Sequence, residues 1–156
     1  MRLRRVSIVA AAAATLALAL IGVVGAGAQG SKGSKALFAV LSGKKEVSAE
    51  GDRGVGDRNG RGSFSATFDG NELCYGLTVT NIANPVAAHI HRGSPRVAGP
   101  VVLPLQEPGT GDPGASSACV EVQGSLARAI RKNPAKFYVN VHTADFPGGA
   151  VRGQLF

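Results

Sequence analysis

Residues 62–79 read GSFSATFDGNELCYGLTV, and this stretch decides the fold class. In its first half, aromatic and alanine side chains alternate with small polar ones, which is the period of two that a half-buried strand requires. The DGN at 69–71 then offers residues that tolerate the positive φ of a tight turn. Residues 72–79 return with the same alternation. The stretch therefore predicts a β-hairpin that turns one face to a core.

The chain beyond residue 36 repeats this pattern in short segments separated by loops rich in Gly and Pro. Six further strands are predicted, at residues 36–41, 86–91, 101–105, 118–122, 137–143 and 150–156. One helix is predicted over residues 125–133, because Ser125 can cap its start and Asn133-Pro134 ends it. We expect an all-β domain over residues 37–156, a Greek-key or immunoglobulin-like β-sandwich of about seven to eight strands with one short helix. The longest loop, residues 44–61, is nearly free of apolar side chains and is expected to be exposed.

The first 28 residues have the pattern of a secretory signal peptide. A basic start precedes an apolar run at 6–24, and AGA at 26–28 has the small-x-small pattern of a cleavage site. An uncleaved membrane anchor is the alternative for a run of this length. Residues 29–36 are predicted to be a flexible lead-in. We therefore expect a secreted or periplasmic protein of the cell envelope, with no stable membrane span after cleavage.

The charge of the chain is mildly basic once this signal is removed. The formal net charge of +7 falls to +4, because 14 basic residues then remain against 10 acidic ones. Such a surface favours an anionic envelope polymer or an extracellular protein as partner, while solubility alone is the plainer explanation. The chain has no Trp, and its basic residues are not interleaved with aromatic ones. Nucleic-acid binding is therefore not expected.

The only two cysteines are Cys74 and Cys119. An even count in an exported protein predicts a disulfide bond. The bond would close a loop of about 45 residues and stabilise the fold by roughly 3–4 kcal/mol. Two free thiols that ligate a metal are the competing interpretation, although the sequence has no C-x-x-C spacing.

All three histidines fall in two strand-like segments. His89 and His91 lie two apart on one predicted strand, so both side chains point to the same face, and His142 lies on another. If the two strands are neighbours, three neutral imidazoles can converge, a donor set that suits Zn(II) or Cu(II). A shared ion requires ligand nitrogens within about 5 Å of one another. The alternative is structural, with each imidazole hydrogen-bonded to a nearby carbonyl, to Tyr138 or to Asp145.

A buried charge is predicted at Arg152, which lies among mostly apolar neighbours and needs a carboxylate partner. Glu46 is the partner that we expect, in a structural ion pair, with Asp145 and Glu121 as alternatives. Nucleophilic catalysis has no support, because the sequence contains no Gly-x-Ser-x-Gly elbow and both cysteines are expected to be oxidised. No catalytic residue is predicted.

Four ordered blocks of the sequence resemble the CHRD domain, which is named for chordin, an extracellular antagonist of bone morphogenetic proteins. The blocks are LSG at 41–43 followed by Glu46-Val47, AAHIHRG at 87–93, YVNVHT at 138–143 and FPGGAVRGQL at 146–155. The resemblance runs from about residue 37 to residue 155, and the two cysteines fit the stand-alone form found in exported bacterial proteins. One departure is Ser48, where the family usually has Pro after Val.

The resemblance implies an extracellular or periplasmic β-sandwich but no particular activity. This sequence has none of the cysteine-rich modules that accompany the domain in chordin, so growth-factor binding is not implied. Our first hypothesis is an exported, non-catalytic binding or structural domain of unknown ligand. The second is a mononuclear Cu or Zn protein that uses His89, His91 and His142, and the third adds redox activity at that metal.

Overall fold

The computed structural model describes residues 35–156 of the chain, so the expected signal peptide and most of the lead-in lie outside the described residues. The described part contains eight strands, one α-helix and two short 3₁₀ helices at Gly43–Lys45 and Pro134–Lys136. The strands are β1 (Leu37–Ser42), β2 (Arg61–Asp69), β3 (Glu72–Thr80), β4 (Pro85–Arg92), β5 (Val101–Leu105), β6 (Gly114–Glu121), β7 (Phe137–Thr143) and β8 (Val151–Gln154), and the helix is α1 (Gly124–Lys132). An all-β fold with one short helix is therefore confirmed. Within residues 35–156, no helix is long and apolar enough to cross a membrane.

The eight strands hydrogen-bond in one continuous order, β5-β4-β7-β8-β1-β2-β3-β6. Each pairing is antiparallel, and the sheet curls around a single apolar core. The hairpin predicted from residues 62–79 is β2-β3, with Phe64 opposite Leu77 and Asp69 opposite Glu72. Gly70 supplies the positive φ of its two-residue turn, at 55°. β1 pairs with β2 and β6 pairs with β3, so the hairpin forms the centre of this half of the sheet.

The core draws on buried side chains from seven strands and from α1, and Ala118 and Val120 of β6 pack against it. In β2 and β3 its members are the alternating apolar residues that the sequence predicted to face inward. The largest fully buried apolar side chains of the core are Leu37, Leu41, Phe64, Leu73, Leu77, Ile90, Ile130, Phe137 and Leu155. Ile130 belongs to α1, so the helix closes the core rather than standing apart from it.

Cys74 and Cys119 form the predicted disulfide bond, with an S–S distance of 2.04 Å. They lie directly opposite each other on β3 and β6, at one edge of the sheet. Both sulfur atoms are therefore engaged, which overturns the interpretation of two free thiols that ligate a metal.

The structure differs from the sequence prediction in two element starts and in the burial of one loop, besides shifts of one or two residues at other strand ends. β6 begins at Gly114 instead of residue 118, because pairing with β3 draws a run of small residues into the ladder. α1 begins at Gly124, so Ser125 lies inside the helix and donates a hydrogen bond to the side chain of Gln123 (3.0 Å). The loop at 44–61 is only partly exposed, since Glu46 and Val47 are buried within it.

Candidate functional site

Strand pairing brings the two histidine segments side by side. β4 and β7 are hydrogen-bonded neighbours, and their register sets His89 opposite Asn140 and His91 opposite Tyr138. His142 lies opposite Ala87, one diagonal step from His89. All three histidines lie on the face that points away from the core. The adjacency that the sequence analysis required is therefore present.

The three imidazole rings converge on one small volume. His89 Nδ1 lies 3.2 Å from His142 Nε2. The ring centroids are separated by 5.6 Å for His89 and His91, 5.1 Å for His89 and His142, and 6.0 Å for His91 and His142. One ring nitrogen from each histidine lies within 4.8 Å of the other two. This spacing is inside the limit of about 5 Å for a shared ion.

Two backbone carbonyls determine which ring nitrogen of His91 and of His142 carries the hydrogen. Gly99 O accepts a hydrogen bond from His91 Nδ1 (2.9 Å), and Pro147 O accepts one from His142 Nδ1 (2.9 Å). Because a carbonyl oxygen can only accept, each Nδ1 carries the hydrogen and each Nε2 keeps its lone pair. An Nδ1–H to carbonyl hydrogen bond is the usual second interaction of a metal-bound histidine.

His91 Nε2 is a buried lone pair with no hydrogen-bond partner among the described residues. A buried polar atom without a partner is costly, so it calls for a physical explanation. Because His142 Nδ1 donates to Pro147 O, His142 Nε2 accepts a hydrogen bond from His89 Nδ1 (3.2 Å). The spacing also fits a shared metal ion, because two nitrogens bonded at 2.0–2.1 Å to a tetrahedral ion lie about 3.3 Å apart. Both of these rings are only half-buried, which keeps the cluster open to solvent for a further ligand.

The surroundings of His89 and His91 favour the neutral form of both imidazoles. Burial lowers the pKa of His89 below its ordinary value, and the neighbouring His142 adds to the effect. Burial likewise lowers the pKa of His91, against an opposing contribution from its hydrogen bond to Gly99. Neutral imidazole is the form that ligates a metal, so both shifts prepare the rings for binding.

A second layer of side chains holds the cluster in place. The Tyr138 ring stacks on the His91 ring, and the Arg152 guanidinium carbon lies 3.4 Å from the Tyr138 ring centroid. Tyr138 Oη accepts a hydrogen bond from Gly99 N (3.0 Å), which fixes the residue whose carbonyl orients His91. From the sequence, Tyr138 was expected only as a hydrogen-bond partner of a histidine with a structural role. Period-two phasing of β7 was the signal that could have indicated its supporting role.

Glu46 and Arg152 are both buried beside this layer, with 2% and 1% of their surfaces exposed. Arg152 Nη2 donates hydrogen bonds to Ser94 O (2.8 Å) and Val97 O (3.0 Å). Burial raises the pKa of the Glu46 carboxyl, while the Val47 amide and the charge of Arg152 oppose that rise. The two groups interact electrostatically, and the direct ion pair expected from the sequence stays a prediction.

A match to a known protein family covers nearly all of the residues that the structure describes. A family model of the CHRD domain matches residues 37–155, the span over which the sequence resembles that family. Comparison with curated proteins and with solved structures found no match.

Proposed function

The chain belongs to the CHRD domain family, and we propose that it is an exported mononuclear metal-binding domain that holds Cu(II) or Zn(II) through His89, His91 and His142. The observation that carries the proposal is the convergence of one ring nitrogen from each histidine within 4.8 Å. The buried, unpartnered His91 Nε2 supports it. The geometry favours this second hypothesis over a domain without a metal. The disulfide bond and the family are consistent with an extracellular location.

Three imidazoles suit Zn(II) and Cu(II) better than Mg(II) or Ca(II), which prefer oxygen ligands. With three protein ligands, a fourth position is left for water or another ligand, as in open zinc sites. Both ions bind without any rearrangement of the strands, since the two carbonyl-bonded rings already present Nε2. Redox activity would require copper, so a redox assay is useful only once the protein is found to bind copper.

Calorimetric titration of the metal-free protein with Zn(II) and with Cu(II) tests the proposal. We expect one ion per chain. Replacing one ligand, in His89→Gln or His142→Gln, should weaken binding by at least about 100-fold, more than the 10- to 100-fold usual for an outer partner. Both residues are half-buried, so these variants should keep the fold, which thermal unfolding in metal-free buffer checks.

The matched control is Asp145→Asn, which alters an exposed carboxylate close to the cluster in sequence and should leave the affinity unchanged. The structural alternative makes the opposite prediction. If no ion binds, or if the histidine variants bind as tightly as the unmodified chain, the imidazoles serve only as hydrogen-bond partners of one another, of Gly99 and of Pro147, and the proposal is wrong.

A further inference from the structure

A second candidate site lies apart from the histidines. It is a cavity of about 400 Å³, within the size range of small-ligand pockets. Side chains from β1, from the loop after it, from the loop after β4 and from the C-terminal strand line it. Among the described residues, its lining includes none of the three histidines. The cavity is therefore distinct from the histidine cluster, although Arg152 belongs both to its lining and to the stack with Tyr138 and His91.

Three cationic side chains line this cavity. Lys45 and Arg53 are exposed to solvent, while Arg152 is 1% exposed. A guanidinium remains charged at any ordinary pH, so the cavity has a permanent buried positive charge in its wall. A buried charge is costly unless it is paired and fully hydrogen-bonded.

The charge of Arg152 is incompletely satisfied within the described part of the chain. Its Nη2 donates to two backbone carbonyls, those of Ser94 and Val97, but its Nη1 is buried with no hydrogen-bond partner. Glu46 is the acidic group that acts on it, and burial raises the pKa of that carboxyl, which weakens the compensation. A guanidinium in this state favours an added anion.

The same cavity has apolar walls that remain open to solvent. Val40 is 57% exposed and Phe156 is 58% exposed, and both line the cavity. Phe38, 45% exposed, lies beside Phe156 with ring centroids 6.0 Å apart. Exposed apolar surface next to fixed positive charge is complementary to a ligand that has an anionic head and an apolar body.

We infer that this cavity binds a small amphiphilic carboxylate, with its head among Lys45, Arg53 and Arg152 and its hydrocarbon part against Val40 and Phe156. The planar fork of Arg matches the two oxygens of a carboxylate, and Lys adds a flexible point charge. A single negative charge suits the site, because Glu46 offsets part of the positive charge around it.

Titration with decanoate, below its micellar concentration and in buffer freed of metals over a chelating resin, tests the inference. A ligand of this size should bind with a dissociation constant of about 0.1–1 mM. Decanol has the tail without the charge, and acetate has the charge without the tail, so each should bind at least about tenfold more weakly. Amide shifts in ¹⁵N-labelled protein should map to Val40, Lys45 and Phe156.

Two variants of exposed residues test the head-group assignment without risk to the fold. Lys45→Gln and Arg53→Gln should each weaken decanoate binding about 3- to 10-fold. Arg128→Gln removes an equally exposed charge from α1, outside the cavity lining, and should have no effect. Equal binding of decanol and decanoate, tighter binding of decyl phosphate, or an unchanged affinity in Arg53→Gln would each overturn the assignment. None of these results would affect the metal proposal, because His89, His91 and His142 do not line the cavity and Arg152, which the cavity shares with the stack on His91, stays unchanged in these variants.

Discussion

The His91 imidazole lies nearly parallel to the Tyr138 ring, with the centroids 4.8 Å apart and an angle of 12° between the planes. The two residues are direct partners across β4 and β7. On the other side of β7, Arg152 of β8 extends over the same phenol ring. Three strands thus contribute to one stack, and the stack fixes the orientation of a proposed metal ligand.

Tyr138→Phe should keep this stack but lose the hydroxyl that accepts the Gly99 amide. We expect a cost of about 1 kcal/mol in the free energy of unfolding. Metal affinity should fall by a few-fold and by no more than about 10-fold, because Gly99 O, which orients His91, is then less firmly held. Urea unfolding and metal titration measure the two effects.

Tyr75→Phe is the matched control for that change. The Tyr75 hydroxyl also accepts a backbone amide, from Gln106 at 2.7 Å, but it belongs to β3, which pairs with neither β4 nor β7, and Gln106 does not contribute to the histidine cluster. The control should cost a similar amount of stability and leave metal affinity unchanged. Equal metal affinities in the two variants would show that the Tyr138 hydroxyl does not help to position His91.

Much of this site could be predicted from strand phasing alone. Alternation on residues 86–91 and 137–143 placed all three histidines on outward faces, and the structure has them there. Whether the two strands are neighbours could not be predicted, because periodicity is a local property and pairing is decided by the whole sheet. The convergence of the rings depended on that pairing.

The burial of Glu46 is a second feature that could not be predicted from the sequence. A loop rich in Gly, Asp and Arg has the composition of an exposed segment, yet backbone hydrogen bonds such as Asp57 N to Ala150 O (2.9 Å) hold it against the sheet. Neither the composition nor the periodicity of the loop indicates these hydrogen bonds. The buried charge of Arg152 was the available signal, since it predicted a carboxylate nearby without showing which loop would supply it.

The disulfide bond should stabilise the fold without contributing to metal binding. Replacing both cysteines, in Cys74→Ala with Cys119→Ala, should lower the free energy of unfolding by about 3–4 kcal/mol, because the bond closes a loop of 45 residues. Urea unfolding measures the loss. Metal affinity should stay the same, since β3 and β6 pair with neither β4 nor β7 and carry none of the three histidines. A parallel loss of affinity would contradict the three-histidine site.

Gly149 should tolerate no side chain. Its φ of 138° is unfavourable for other residues, and a Cβ there would collide with Glu46 Oε2 and lie 2.6 Å from the amide atoms of Asn140. Gly149→Ala should therefore cost about 2–4 kcal/mol of unfolding free energy. Gly148→Ala is the control, because a Cβ at Gly148 meets nothing within 4 Å, and its cost should stay within about 0.5 kcal/mol. Similar costs at the two positions would argue against the tight packing of Glu46.

The free energy of unfolding should depend on pH partly through the titration of Glu46. Burial raises the pKa of its carboxyl above the ordinary value of 4.5. Between pH 4.5 and the higher pKa of the folded state, the folded protein holds a proton that the unfolded chain has released. The contribution of Glu46 to the free energy of unfolding is therefore present below pH 4.5 and is lost as the pH rises through the folded pKa.

Glu46→Gln removes this titration while its side-chain oxygen can still accept the Val47 amide, which Glu46 Oε1 now accepts at 3.0 Å. Urea unfolding from pH 4.5 to pH 8 should show the variant gaining stability relative to the unmodified protein as the pH rises, until the difference levels off above the folded pKa. Glu50→Gln removes an exposed carboxylate from the same loop and controls for the loss of one charge. If the Glu46→Gln curve ran parallel to that of the unmodified protein over the whole range, the buried carboxyl would be ionised at no cost to the fold, and Arg152 would be its full ion-pair partner.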